Sequence, residues 1–348
     1  MRTPLVSVVI DTYNYGRFVD EAIQSALAQD FPKDQMEILV VDDGSTDDTP
    51  ERIKKYGDAV GYCRKQNGGQ ASAFNFGIAQ TKGEIVAFLD GDDVWMPKKI
   101  SRVASAFERN WKAVMVYHKF QFWDPNSVWE WEPGTPDVSG EILGDRRKVL
   151  DYVAAPTSSL AFRRHALERV LPVPESMRFM ADAYLVGTAI FLGPIDYVGE
   201  CLASNRVHGA NLWFAERGQP SRELLQRRVA MRREVIKSLR RWIESNGPRV
   251  PRRNARAYMC LWDLLQETDE FQIERPGRWR EFVHLYREAL ATRPIVSTAN
   301  FGYRFAKALA VLVAGRRATV LEGVRTRVKR YWRRDPVGTK TTGETGRA

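Results

Sequence analysis

Cysteine is scarce in this chain of 348 residues, and its three copies, Cys63, Cys201 and Cys260, do not form a CxxC pair. An odd and widely spaced set is not typical of a disulfide framework or of a cysteine-built zinc site, so we expect a reducing compartment. The sequence also lacks a run of about 18 apolar residues, which a membrane helix needs. The first residues lack the basic head and cleavage site of a signal peptide, so we expect a cytoplasmic protein.

Charge is distributed unevenly along the chain, although the formal net charge is +10. Residues 1–220 carry 24 basic and 30 acidic side chains, whereas residues 221–348 carry 29 basic and 13 acidic ones. A basic segment of this kind suits an anionic surface, either membrane lipid or nucleic acid. The 44% hydrophobic and 28% charged composition is that of a folded globular protein, and the length predicts about two domains.

Short segments rich in valine and isoleucine alternate with helical segments over the first 120 residues. The predicted strands are 5–10, 36–41, 60–63, 85–89 and 114–117, and the predicted helices are 18–29, 46–56, 71–80 and 97–109. This alternation predicts an α/β fold with a mostly parallel sheet flanked by helices. Ligands of such sheets bind beyond the carboxyl ends of the strands, which directs attention to the residues after each strand.

Acidic and small polar side chains follow four successive predicted strands. Asp90, Asp92 and Asp93 come directly after an apolar strand, so we expect their carboxylates to lie close together. Close carboxylates need a counterion, and a Mg or Mn ion whose shell is completed by phosphate oxygens would supply it. Taken alone, these residues fit a solvated, aspartate-rich turn equally well.

Asp43 ends the second predicted strand, just before a helix whose first turn carries Asp47 and Asp48. The helix dipole accounts for Asp47 and Asp48, because acidic side chains are stabilised in a first helical turn. It does not account for Asp43, which we expect on the strand edge, free to accept hydrogen bonds from a nucleobase or from sugar hydroxyls.

Four motifs in this order resemble those of the family 2 glycosyltransferases, which have the GT-A fold, a Rossmann-like sheet. They are residues 6–10 with 12–14 (VSVVI, TYN), 40–47 (VVDDGSTD), 67–69 (NGG) with residues 75 and 77, and 88–93 (FLDGDD). The resemblance covers residues 1 to about 210 and implies an inverting transferase that uses a nucleoside diphosphate sugar, with Mn or Mg as cofactor. It favours a UDP-sugar as donor and a glycan or lipid-linked acceptor, as in the assembly of bacterial surface polysaccharide, O-antigen or other glycans.

The resemblance also implies roles for individual residues. Asp92 and His208 would hold the metal, and Asp182 matches the acidic residue that serves as catalytic base in the family. Residues expected to contact the nucleotide sugar are Thr12, Tyr13, Asn14, Asp43, Asn67, Gly68, Gln70, Asp90 and Gly91. From the residues alone, a first-turn aspartate and a structural histidine are the commoner interpretations of Asp182 and His208.

Two positions depart from the family pattern. Asp11 stands where the family usually has proline, and it either alters the base pocket or carries a solvated charge. Ala181 replaces the acidic residue that usually precedes the base.

The sequence predicts three parts. A GT-A-like catalytic domain over 1–220 comprises a nucleotide-sugar half (1–120) and an acceptor half (121–220), followed by a basic helical extension over 221–337 and a flexible tail over 338–348. Within 301–348, apolar residues share a helical face among many arginines. This pattern fits either peripheral binding to anionic lipid, at the inner face of the cell membrane, or a helix packed on the catalytic domain.

Other functional classes remain open at this point. A non-catalytic relative would bind nucleotide sugars or glycans without turnover, and a nucleic-acid-binding protein would use the basic half. The positive charge lies outside the half that bears the motifs, and no nucleic-acid motif accompanies it, so no nucleic acid is expected as a partner. A nucleotidyltransferase usually has a glycine-rich basic loop after its first strand, which residues 11–16 do not provide.

Overall fold

The computed structural model describes residues 5–130, 138–143, 155–209, 221–246 and 252–274, together with positions 148, 211, 278, 280, 281, 283, 284 and 287. The strands within these ranges are β1 (Val6–Thr12), β2 (Met36–Asp42), β3 (Gly61–Arg64), β4 (Ile85–Asp90), β5 (Val94–Trp95), β6 (Met115–Asp124), β7 (Ser127–Glu130), β8 (Leu160–Arg163) and β9 (Ile195–Arg206). The α-helices are α1 (Gly16–Leu27), α2 (Thr49–Lys54), α3 (Gln70–Gln80), α4 (Lys99–Arg109), α5 (Arg164–Leu167), α6 (Ala181–Ala189), α7 (Arg222–Ser245) and α8 (Arg252–Glu274).

All nine strands belong to one sheet, in the order β3-β2-β1-β4-β8-β6-β9-β5, with β7 paired to β6. The first four strands run parallel, as the alternating pattern predicts. Beyond β4 the sheet is mixed, because β8 lies antiparallel between β4 and β6, and β5 pairs antiparallel with β9. The α/β class is therefore confirmed, and the expected parallel order holds for the half that bears the motifs.

The loops after β1 and β2 are tied together by short polar side chains. Ser45 Oγ accepts a hydrogen bond from the amide of Asn14 at 2.9 Å, and Asp47 Oδ2 accepts one from the amide of Gly16 at 3.0 Å. Because residues 45–48 are held in this way, α2 begins at Thr49 and not at residue 46 as predicted. The two loops thus form a single rim at the carboxyl edge of the sheet.

Apolar side chains cover both faces of the sheet. On one face Phe74 of α3 packs with Phe88 of β4, and on the other Ile23 of α1 packs within the same buried cluster as Ile10 of β1. The apolar cluster on the α3 face of the sheet extends to the C-terminal helices, because it includes Leu239 of α7 as well as residues of α3 and α6. The helices of the predicted extension therefore share a core with the motif-bearing sheet.

Part of the basic charge of α7 is paired with acidic residues of α8. Arg232 meets Asp269 at 2.8 Å, Arg233 meets Glu270 at 2.7 Å, and Arg240 meets Asp263 at 2.7 Å. None of the helices in the described ranges is long and apolar enough to span a membrane. The segment 301–348, for which lipid binding or packing is predicted, lies outside the described residues, as does the predicted tail at 338–348.

Candidate active site

A cavity of about 600 Å³ opens at the carboxyl ends of β1, β2 and β4. Nine predicted site residues line it, namely Thr12, Tyr13, Asn14, Asp43, Asn67, Gln70, Asp90, Asp92 and Asp182. The other three contact lining residues: Gly68 donates its amide to Asp43, Gly91 packs closely against Thr12, and His208 contacts Asp92. The structure therefore gathers the predicted residues at one edge of the sheet.

Asp43 is not the free carboxylate that the sequence predicts. Its Oδ1 accepts hydrogen bonds from Lys65 Nζ at 2.7 Å and from the Gly68 amide at 3.0 Å, and its Oδ2 accepts one from the Gly69 amide at 2.6 Å. The loop after β3 folds back over the end of β2, an arrangement that strand spacing alone does not reveal. Asp43 thus shapes the cavity wall by holding this loop, and its contact with a nucleotide stays a prediction.

Gly69 lies where the loop before α6 crosses the start of α3. The carbonyl of Arg178 accepts a hydrogen bond from the Gln70 amide at 2.9 Å, and that of Met177 accepts one from the Ala71 amide at 3.3 Å. Gly69 has a φ of +84°, and a Cβ atom there would lie 2.5 Å from the Cα of Arg178. The close crossing therefore requires glycine at this position.

We expect Gly69→Ala to lower the free energy of unfolding by about 2–4 kcal/mol, since it adds both a backbone clash and a strained φ. Gly57→Ala is the matched control, because Gly57 also has a positive φ, +51°, but nothing lies within 4 Å of an added Cβ. That control should cost only about 1 kcal/mol. Chemical denaturation of both variants measures the difference, and equal losses would show that the crossing tolerates a Cβ.

The carboxylates of Asp90, Asp92 and Asp93 can offer oxygens within 4.8 Å of one another. Burial raises the pKa of Asp90 and of Asp93 well above the usual range, and neighbouring aspartates raise both further. Asp93 has other partners: its oxygens accept from Ser158 Oγ at 2.6 Å, Asn205 Nδ2 at 2.7 Å and the Arg206 amide at 2.8 Å. The Asp93 carboxylate therefore stabilises the fold by joining these three residues.

The two residues predicted to hold a metal are in direct contact. His208 Nε2 lies 2.9 Å from Asp92 Oδ2, and the imidazole packs on the ring of Phe18 at 4.7 Å between centroids. Asp92, His208 and the adjacent Asp90 offer two carboxylates and one imidazole, a set that suits Mn or Mg while leaving positions for phosphate oxygens. The donor chemistry of the site therefore fits the expected ion.

Arg206 places a fixed positive charge beside these carboxylates. Its Nε donates to the Asp92 carbonyl at 2.9 Å, and its guanidinium lies between the rings of Phe18 and Trp123, 4.6 and 4.0 Å from their centroids. A salt bridge of 2.8 Å to Glu21 completes its environment. Arg206 is not among the predicted site residues, and the only local signal for it is its position two residues before His208.

Asp11 is half-buried in the cavity wall, with its Oδ1 atom buried, and does not carry the solvated charge that was one of its two interpretations. Burial, together with the charge of Asp92, raises the pKa of Asp11 to about 8. The neighbouring Thr12 Oγ1 is also buried, with no hydrogen-bond partner among the described residues. A polar ligand in this cavity would give that hydroxyl the partner that buried polar atoms normally have.

Asp182 occupies the first turn of α6, as predicted. Its Oδ1 accepts a hydrogen bond from the Ala183 amide at 2.7 Å, and its Oδ2 accepts one from Thr157 Oγ1 at 3.3 Å. Burial raises the pKa of Asp182 to about 6, although these hydrogen bonds act in the opposite direction. A carboxylate with a pKa near neutrality is well suited to take a proton from a hydroxyl.

The family model of glycosyl transferase family 2 matches residues 7–171, which include the cavity loops through Asp92. This part of the chain belongs to family 2 of the glycosyltransferases. An uncharacterised glycosyltransferase from Nostoc sp. is 38% identical to it over 214 residues, which make up 59% of this chain and 66% of the relative. The match therefore leaves about a third of the relative's length without a counterpart in the aligned region.

Two solved structures share the architecture of this chain. The TarS fragment 1–349 from S. aureus, in complex with UDP-GlcNAc, aligns with a TM-score of 0.59 at 19% identity, over 92% of this chain and 87% of that one. A mannosyltransferase from Pyrobaculum calidifontis, in complex with GDP-Man and Mn²⁺, aligns with a TM-score of 0.54 at 18% identity, over 96% and 89%. At these identities the alignments show the fold alone, and they confirm the GT-A prediction.

Proposed function

We propose that this protein is an inverting, metal-dependent glycosyltransferase that moves a sugar from a nucleoside diphosphate sugar to an acceptor hydroxyl. The observation that carries the proposal is the placement of Asp90, Asp92 and Asp182 around one cavity. The similar proteins bind UDP-GlcNAc and GDP-Man, which supports a nucleotide-sugar donor. We favour a UDP-sugar and a glycan or lipid-linked acceptor in the assembly of cell-surface glycans.

In this reaction the bond from the acceptor oxygen to the sugar carbon forms as the bond from that carbon to the diphosphate breaks. Asp182 accepts the proton that the acceptor hydroxyl loses, and attack opposite the leaving group inverts the sugar carbon. Asp92 and His208 would hold the Mn or Mg ion, which when bound offsets charge on the departing diphosphate. Arg206, fixed between two aromatic rings, adds positive charge on the same side of the cavity.

We expect kcat to rise with pH and to reach half its maximum near the pKa of Asp182, about 6. The rate rises with pH because a base must be unprotonated to accept a proton. The raised pKa of Asp182 moves the pH at which activity is lost upward from the usual aspartate range. Rates measured between pH 4.5 and 8.5 at saturating donor test this. A profile that is flat down to pH 4.5 would contradict the assignment of Asp182 as base.

Calorimetric titration with UDP, GDP and dTDP, each with Mn²⁺ and again with EDTA, tests the donor class. We expect one nucleotide, UDP, to bind with Mn²⁺ and to lose most of its affinity in EDTA. Failure of all three to bind would overturn the proposal. Binding without release of nucleotide from any nucleotide sugar would instead favour the non-catalytic alternative.

A further inference from the structure

Thr157 makes contact with the proposed base from a different part of the chain. It lies in a short turn, Thr157–Ser159, just before β8, and its side chain is 1% exposed. Its Oγ1 donates to Asp182 Oδ2 at 3.3 Å and accepts from Gln70 Nε2 at 3.1 Å. A buried hydroxyl thus connects the base to the first residue of α3.

The orientation of the Gln70 side chain fixes the direction of these hydrogen bonds. Gln70 Oε1 accepts from the Ala181 amide at 2.9 Å, and an amide N–H is a donor only. The Nε2 group of Gln70 must therefore face Thr157, whose single hydroxyl proton is left for Asp182. The arrangement matches an ionised Asp182, which accepts hydrogen bonds and cannot donate one.

Gln70 also reaches the donor side of the cavity. Its Nε2 lies 3.4 Å from Asp90 Oδ1, so one amide spans the space between Asp90 and the residues that hold Asp182. The sequence predicted that Gln70 contacts the nucleotide sugar, yet both ends of its amide already have protein partners. The chain of contacts runs from Asp90 through Gln70 and Thr157 to Asp182.

We propose that Gln70 and Thr157 are positioning residues that fix the orientation of the Asp182 carboxylate and connect it to Asp90 in the donor site. This inference rests on the proposed function, because it takes Asp182 as the base. Thr157 holds the carboxylate from one side while the Ala183 amide holds it from the other. Gln70 keeps the Thr157 hydroxyl proton directed at the base.

Thr157→Val removes the hydroxyl while keeping the branched shape of the side chain. We expect it to lower kcat by about 10–100-fold while the calorimetric Kd for UDP with Mn²⁺ changes by less than about threefold. Thr157→Ser keeps the hydroxyl and should recover kcat to within about threefold of wild type. Release of UDP from UDP-GlcNAc, with water as the acceptor, provides the rate.

Ser159→Ala is the matched control, because Ser159 lies in the same turn and donates to the Pro156 carbonyl at 2.8 Å, away from Asp182. We expect it to leave kcat nearly unchanged. Equal losses in Thr157→Val and Ser159→Ala, or no recovery in Thr157→Ser, would show that Thr157 only stabilises the turn and would overturn the proposal. Additive losses in Gln70→Met and Thr157→Val would refute the connection between these two residues.

A second readout does not depend on activity. The titration of the Asp182 carboxyl carbon, followed by NMR and assigned with Asp182→Asn, should move to higher pH by about half a unit or more in Thr157→Val, because the charged form loses a donor. Asp11 and Asp90 are the acidic groups whose pKa values the charge of Asp182 raises, and Arg178 and Arg206 line the same cavity. An unchanged midpoint would overturn the proposal, whereas a shifted midpoint in a protein without transferase activity would overturn only the proposed function.

Discussion

Asp182→Asn is expected to lower kcat for sugar transfer by about 10³-fold while leaving the affinity for UDP and Mn²⁺ within about threefold of wild type. The substitution keeps the shape of the side chain and its acceptor oxygen for the Ala183 amide, but removes the group that takes the proton. The metal contacts proposed above lie at Asp92 and His208, and the residues expected to contact the nucleotide sugar do not include Asp182, so both sets of contacts should persist. Steady-state rates and calorimetry on the same preparation separate the two effects.

The same substitution should stabilise the fold. The pKa of Asp182 is raised to about 6 in the folded state, chiefly by burial, so its charged form lowers stability at neutral pH. Removing that charge is expected to raise the free energy of unfolding by about 1–3 kcal/mol at pH 7. The matched control is Asp196→Asn, at the start of β9 and outside the cavity lining. It should change neither kcat nor the free energy of unfolding. Transfer at the wild-type rate in Asp182→Asn would exclude this residue as the base.

Asp92→Asn is expected to abolish the Mn²⁺-dependent part of UDP binding and to lower transfer by about 10³-fold. The amide is a poorer ligand for a hard cation, and the variant loses the negative charge beside His208. Calorimetry with UDP, in Mn²⁺ and in EDTA, gives the metal-dependent part directly. Undiminished Mn²⁺-dependent binding in this variant would remove Asp92 from the metal site.

Asp93→Asn, at the next residue, is expected to have a different effect from Asp92→Asn. Its carboxylate oxygens accept hydrogen bonds from Ser158, Asn205 and the Arg206 amide, so an amide nitrogen there would face donors. We expect a loss of about 2–4 kcal/mol in stability, with metal-dependent binding retained by the folded fraction. If Asp92→Asn and Asp93→Asn instead produce the same two changes, the adjacent carboxylates share one role, and the assignment of Asp92 to the metal and of Asp93 to the fold is wrong.

The sequence predicted the parallel half of the sheet, because its strands are visible as local runs of apolar residues. Buried parallel strands read as continuous apolar runs, which is why β1, β2 and β4 could be placed and the loops after them recognised. β5 has only two residues, and β8 lies outside the strand–helix alternation of the first 120 residues, so neither strand was identified and the mixed half of the sheet was not predicted.

The contacts that organise the site could not be read from local pattern, because they join distant segments. Asp92 meets His208 across 116 positions, and Gln70 meets Thr157 across 87. The resemblance placed His208 and Asp182 in the site, since motif order carries such information. It gave no indication of the role of Thr157 or of the partners that hold Asp43.

The order of strands in the sheet limits how donor specificity could be exchanged between relatives. The family match ends at residue 171, but β9 follows it, lies between β6 and β5, and carries Asn205 against Asp93. A chimera that swaps residues 7–171 would therefore join β5 and β6 of one parent to β9 of another, and would separate Asp92 from its own His208. Grafts that preserve these pairs need to carry β9 and the base-bearing α6 along with the motifs.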